Sequence, residues 1–165
     1  AVKNPQGLLN SFRQILPHCP LAKLVYVGEG PERIPLQEAI QQNKLEEKVF
    51  LVGEQNNINE WLNMADVFVL LSKEESLPLS LLEAKQVGLP CIVSQVGDMP
   101  TQIEHGKNGF VCKPQDEILA SCLLTELYDN ISLREEMGKI SRRQMAQTID
   151  SFQQYQQLYQ QVGQK

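Results

Sequence analysis

Short apolar runs alternate with longer amphipathic stretches along nearly all of the 165 residues. The runs at 24–28 (LVYVG), 49–53 (VFLVG), 67–71 (VFVLL), 91–94 (CIVS) and 109–112 (GFVC) are rich in β-branched and aromatic residues. None alternates apolar with polar positions, which predicts strands covered on both faces. Between them, apolar positions recur at helical spacing over 5–16, 32–43, 57–64, 79–87, 116–129, 132–147 and 151–162. Asn57 followed by Glu60 has the form of an N-cap box, and Gly88 followed by Pro90 reads as a helix stop. Asn108-Gly109 reads as a turn. In the last segment Phe152, Tyr155, Tyr159 and Val162 keep helical spacing despite the glutamine-rich background, which argues for helix over disorder.

Strand–helix alternation of this kind predicts an α/β fold: a Rossmann-like, doubly wound parallel sheet flanked by helices. The sequence opens on a helix with no strand ahead of it, although the first strand of such a sheet is normally central. The reading therefore expects the first strand to be lacking here and residues upstream of Ala1 to exist in the natural protein. No internal repeat or low-complexity linker divides the chain, so residues 1–165 are read as one domain.

Composition changes this picture little: 42% hydrophobic, 21% charged and 6% aromatic residues describe an ordinary globular domain. A net charge of −5 argues against a nucleic-acid partner, which needs a dominant basic surface. Cys19, Cys91, Cys112 and Cys122 are widely spaced, with no C-x-x-C pair and no adjacent histidine, so neither zinc nor a disulfide framework is expected. Reduced cysteines of this kind, with no signal peptide and no apolar run of about twenty residues, point to the cytoplasm. His18 and His105 fall in polar loops and belong to no Ser/His/Asp arrangement. Gly28-x-Gly30 lacks the third glycine of a dinucleotide fingerprint.

Ligands of open α/β sheets bind beyond the carboxyl ends of the strands. That rule selects the loops beginning at Gly28, Gly53, Ser72, Gln95 and Lys113. The loop after VFVLL is the most informative, because a polar segment, KEES, leads into a helix starting near Pro78. Such a start offers free N–H groups and a partial positive charge to a diphosphate, with Ser76 and Leu77 as the amide donors. Glu75 stands in the loop, whereas Glu83 lies within the helix on a stripe with Ser80, Ala84 and Val87. A carboxylate so placed suits a vicinal diol, which can donate two hydrogen bonds to it.

The segment 65–109 carries E-x7-E-A followed by G-x-P, with Glu75, Glu83, Ala84, Gly88 and Pro90 in place. Together with the GEGP loop at 28–31, VFLVG and the K-N-P-Q-G-L-L-N-S-F opening, it resembles the C-terminal donor-binding domain of GT-B-fold, family 4 retaining glycosyltransferases. The resemblance runs from Lys3 to the last helix. It implies that Glu75 orients the transferred sugar, that Glu83 binds the ribose hydroxyls, and that the Ser76 and Leu77 amides hold the distal phosphate. Lys3 would neutralise the leaving diphosphate, and the base would rest against Val52, Gly53 and Glu54, with Gly28 lining the same end.

The implied partner is a nucleotide sugar, with UDP as the expected carrier of a hexosyl or N-acetylhexosaminyl group in polysaccharide biosynthesis. The acceptor, a glycan or a lipid-linked sugar, would be held by an N-terminal domain absent from this sequence, and the full-length enzyme could associate peripherally with a membrane. No D-x-D motif occurs, so no catalytic metal and no cofactor are expected; the fragment alone should be inactive in transfer. The loop after CIVS departs from the family's G-G-x-P-E: it reads Gly97-Asp98-Met99-Pro100-Thr101. That departure motivates a second reading, a non-catalytic nucleotide-sugar-binding or assembly module. A third is another GT-B enzyme such as a sugar-nucleotide epimerase. Leu71 stands where a proline is common, and is read as structural.

Overall fold

The computed structural model describes residues 2–162, with side chains described as far as Thr148. In chain order it contains α1 (Pro5–Ile15), β1 (Leu24–Val27), α2 (Arg33–Gln42), β2 (Val49–Gly53), α3 (Ile58–Met64), β3 (Phe68–Leu70), α4 (Leu79–Val87), β4 (Cys91–Ser94), α5 (Met99–Gln102), β5 (Gly109–Cys112), α6 (Glu117–Asp129) and α7 (Ile131–Val162). Every pairing between these strands is parallel, in the orders β1–β2 and β3–β4–β5. A doubly wound order places a central strand between β1 and β3, and there the sheet divides. The two pieces still share a core. Leu24 and Tyr26 of β1, and Val67 and Val69 beside and within β3, pack against one cluster built on Leu8, Ile92, Phe110 and Leu123.

Strand β4 shows why its sequence carries no polar alternation. Successive side chains of a strand point to opposite faces. Ile92 enters the cluster with α1, α6 and α7, while Cys91 and Val93 enter another with Leu81, Ala84, Met99 and Ile103. All four residues of the strand are buried. Burial also pushes the Cys91 thiol up to about 12, aided by no acidic neighbour and opposed by the Lys85 charge. The cysteines are free, and Cys122 is the exposed one.

The structure corrects several expectations. Strand β1 is not covered on both faces: Val25 and Val27 are 40% and 42% exposed, because the flanking clusters receive only Leu24 and Tyr26. The two helices expected over 132–147 and 151–162 form one helix, α7. No glycine or proline interrupts residues 139–162, and the Thr148 hydroxyl donates to the Gln144 carbonyl within the turn, so nothing stops it. The side chains of Phe152, Tyr155, Tyr159 and Val162 lie outside the described residues. Helix α5 escaped the sequence reading because four residues are too few to show a helical period.

Helix ends differ in detail as well. Pro78 is the N-cap of α4 rather than its first residue, with an extended ψ of 129°. Asn57 caps α3 without the reciprocal backbone bonds of a capping box; its Nδ2 donates instead to Glu60 Oε2 at 2.6 Å. Gly88 ends α4 as expected. Its φ of 81° suits glycine, and its N–H donates to the Ala84 and Lys85 carbonyls.

Candidate functional site

Parallel strands deliver the loops that follow them to one end of the sheet, and four of those loops interlock in pairs. The first pair belongs to β1 and β2. The Gly28 N–H donates to the Gly53 carbonyl at 2.7 Å. Both glycines have positive φ, and a Cβ on Gly53 would stand 2.8 Å from Glu29 Oε1. Arg33 braces the same corner, its Nη1 on Glu29 Oε1 at 2.9 Å and its Nη2 on the Leu51 carbonyl at 3.4 Å. Val52 is half-buried and Glu54 exposed. The Val52 carbonyl already accepts from Gln55 Nε2 at 2.7 Å, and Gln55 Oε1 accepts from the Trp61 indole at 3.4 Å. Arg33, Gln55 and Trp61 were missed in the sequence. The i, i+4 spacing of Glu29 and Arg33 was the signal available for the first.

The second pair joins the loops after β3 and β4. The Asp98 N–H donates to the Ser76 carbonyl at 3.0 Å. Gly97, at φ 52°, lies so close that a Cβ there would meet the Glu75 carbonyl at 1.8 Å. Only glycine permits this stacking of backbone on backbone. Asp98 itself has φ −90°, so a side chain at 98 costs the backbone nothing. Its carbonyl accepts from the Thr101 N–H at 3.1 Å and the Thr101 hydroxyl at 2.7 Å, closing the first turn of α5.

Glu75 is the chemical centre of this pair. Its Oε2 is buried and has no hydrogen-bond partner among the described residues. An unsatisfied buried carboxylate oxygen is costly, and each such group calls for a partner. Ser76 and Leu77 follow it exposed, just ahead of Pro78, the N-cap of α4, and among the described residues no acceptor occupies their N–H groups. An acceptor oxygen without a partner therefore belongs to the loop that leads into the positive end of α4. Glu83, further along α4, is half-buried. Of its predicted stripe, Ala84 and Val87 pack into the core, which leaves Glu83 on the border between core and solvent.

Lys3 is exposed. The Lys73 N–H donates to the Val2 carbonyl at 2.7 Å, which brings the residue before Lys3 to the end of β3. The Tyr26 hydroxyl donates to the Pro5 carbonyl at 2.8 Å, tying the same segment to β1. The predicted loop residues thus lie at the carboxyl ends of the strands, with Gly28, Val52, Gly53 and Glu54 on one piece of the sheet and Glu75, Ser76 and Leu77 on the other, while Glu83 stands further along α4.

Residues 1–144 match the family model described as Glycosyl transferases group 1. The chain belongs to this family. Among curated relatives, the N-acetyl-alpha-D-glucosaminyl L-malate synthase of Bacillus anthracis is 34% identical over 150 residues, covering 91% of this chain and 39% of that protein. An Escherichia coli UDP-Gal:alpha-D-GlcNAc-diphosphoundecaprenol alpha-1,3-galactosyltransferase is 33% identical over 117 residues, covering 69% of this chain and 30% of its own. The chain therefore spans well under half the length of these group 1 relatives. The solved structure of HepE from Anabaena in complex with UDP superposes with a TM-score of 0.82 at 22% identity, covering 99% of this chain and 46% of that one. At that identity the likeness shows a shared fold, which matches the C-terminal half of a GT-B enzyme. Among the described residues no helix is long and apolar enough to cross a membrane.

Proposed function

We propose that this chain is the donor-binding half of a retaining, family 4 glycosyltransferase, and that it holds a UDP-sugar across the carboxyl ends of its strands. One observation carries the reading: Glu75, whose buried Oε2 has no partner among the described residues, directly precedes Ser76 and Leu77, whose N–H groups have no acceptor there. The glutamate accepts hydroxyls of the transferred sugar, and the two amides donate to the distal phosphate. Glu83 accepts the ribose hydroxyls, and the Gly28–Gly53 corner with Val52 and Glu54 receives the base. The UDP in the HepE complex and the UDP-Gal named for the Escherichia coli relative support this choice of nucleotide.

In the reaction, the bond between the anomeric carbon and the phosphate oxygen breaks, and UDP leaves with the electron pair. The acceptor oxygen forms the new bond to the anomeric carbon, and its proton passes to the departing phosphate oxygen. Positive charge grows on the sugar and negative charge on the phosphate, and preorganised amides with Lys3 stabilise the latter without reorganisation. The reading includes no metal and no cofactor. A hexosyl or N-acetylhexosaminyl group passes to a glycan or lipid-linked acceptor held by a separate N-terminal domain of the full-length, cytoplasmic enzyme, associated at most peripherally with a membrane.

The non-catalytic alternative rested on Asp98 and Thr101. At φ −90° Asp98 needs no glycine, and Thr101 serves the first turn of α5, so the departure leaves the loop intact. That favours the enzyme. Calorimetric titration of the intact natural protein with UDP, then with UDP-glucose, UDP-galactose and UDP-N-acetylglucosamine, tests the proposal. Absence of any nucleotide binding would sink it, and conversion of free sugar nucleotide without acceptor would favour an epimerase instead.

A further inference from the structure

We propose, building on that donor-site reading, that Lys85 is a positioning residue: through Gln102 it holds the loop between β4 and α5 against the Glu75–Ser76 backbone. Lys85 lies in the last turn of α4 and is only 3% exposed, the one charged residue among the buried polar side chains of the described chain. Its Nζ donates to the Gln102 carbonyl at 2.8 Å and to Gln102 Oε1 at 3.4 Å. It forms no ion pair among the described residues. A buried ammonium without a carboxylate in contact is expensive, and an apolar side chain of equal length would fill the space at lower cost. What the charge provides is a fixed end for α5.

Helix α5 is a single turn held at both ends and in the middle. At its far end the Gln102 carbonyl accepts from Lys85 and also from Asn108 Nδ2 at 3.2 Å. Asn108 is wholly buried despite its turn sequence, and its Nδ2 also donates to Gln144 Oε1 of α7 at 2.6 Å. At its near end the Asp98 N–H reaches the Ser76 carbonyl, and Gly97 lies on the Glu75 carbonyl. Met99, fully buried with Leu81 and Ala84, pins the middle. Cations favour the carboxyl end of a helix, where carbonyls lack partners. Lys85 thus connects two segments of one site. It extends from the same helix as Glu83, roughly 200° around the axis, and fixes the loop that packs on Glu75. Desolvation lowers the Lys85 pKa, and the thiol of Cys91 and the carboxylate of Glu104 oppose that shift.

The test uses Lys85→Met in the intact natural protein with two readouts, hydrogen exchange of the Asp98 amide and affinities for UDP and UMP. UMP lacks the distal phosphate that the Ser76 and Leu77 amides would hold. Expected are faster Asp98 exchange without ligand, about tenfold weaker UDP binding and unchanged UMP binding. Gly97→Ala should abolish the preference for UDP over UMP, and adding Lys85→Met to it should change that preference no further. Unchanged Asp98 exchange overturns the inference whatever the nucleotide data, as does an equal loss of UDP and UMP affinity. Wild-type protein that binds neither nucleotide, yet shows the exchange difference, overturns the donor reading while leaving the positioning of the loop standing. Should Lys85→Met not fold, Lys85→Gln, which keeps a donor but loses reach, serves in the same measurements.

Discussion

The two pieces of the sheet carry the two halves of the proposed site, and they hold them differently. On the β1–β2 piece, the Gly28–Gly53 corner is braced by Glu29 and Arg33, side chains that are 50% and 38% exposed. On the β3–β4–β5 piece, the Glu75–Ser76 backbone is stacked on Gly97 above a strand with no exposed residue. Exposed ion pairs contribute little and are screened by salt, whereas close-packed backbone and core resist displacement. The contrast fits the proposed chemistry. A base needs a surface to lie against, while a breaking bond needs donors fixed in place before the reaction.

Breaking the rigid half at its chemical centre should have the largest effect. Glu75→Ala in the intact natural protein should slow transfer on the order of 100-fold with little change in UDP affinity, measured as kcat against the dissociation constant of UDP. A comparable loss of UDP affinity would move Glu75 to the nucleotide. Next comes the packing beneath it: Leu81→Ala, at a fully buried position, should cost about 2–5 kcal/mol of stability by denaturant unfolding. Val27→Ala on the open face of β1 should stay within about 0.5 kcal/mol in the same assay. Equal costs would erase the distinction between the two pieces.

Smaller effects sharpen it. Glu83→Ala should weaken UDP binding by about 1.5–3 kcal/mol, the worth of hydrogen bonds to a charged acceptor, and leave kcat nearly unchanged at saturating donor. The thiols report on packing without any ligand. At pH 8 a thiol reagent should modify Cys122 quickly and Cys91 only on unfolding. The folded Cys91 thiol is raised from 9 to about 12, so its contribution is complete below pH 9 and is lost as pH rises through 9 to 12. The smallest expected effect is none: a chelator should leave transfer unchanged, and a loss restored by added metal would overturn the metal-free step.

Much of this was legible along the chain. Buried parallel strands leave continuous apolar runs, so CIVS, GFVC and VFLVG marked β4, β5 and β2 to the residue. Gly88 marked the end of α4, because its left-handed conformation is a local demand that sequence records directly. The E-x7-E spacing likewise placed one glutamate in a loop and the other on the helix that follows it. These are short-range matters, set by residues that are neighbours in sequence.

Only the tertiary structure decided the rest. Nothing near Gly97 predicts that it rests on Glu75, twenty-two positions earlier, and nothing near Lys85 announces Gln102 as its acceptor. The sequence also could not distinguish β1 from β4, since both are apolar runs; what differs is how many helices reach each face. Periodicity reports the surroundings that a segment prefers, and the packing of distant elements determines what it receives. The sequence thus determined the fold class and the placing of Glu75 before α4 and Glu83 within it. Long-range packing decided which backbone Glu75 would stand beside, because that contact depends on residues far apart in the chain.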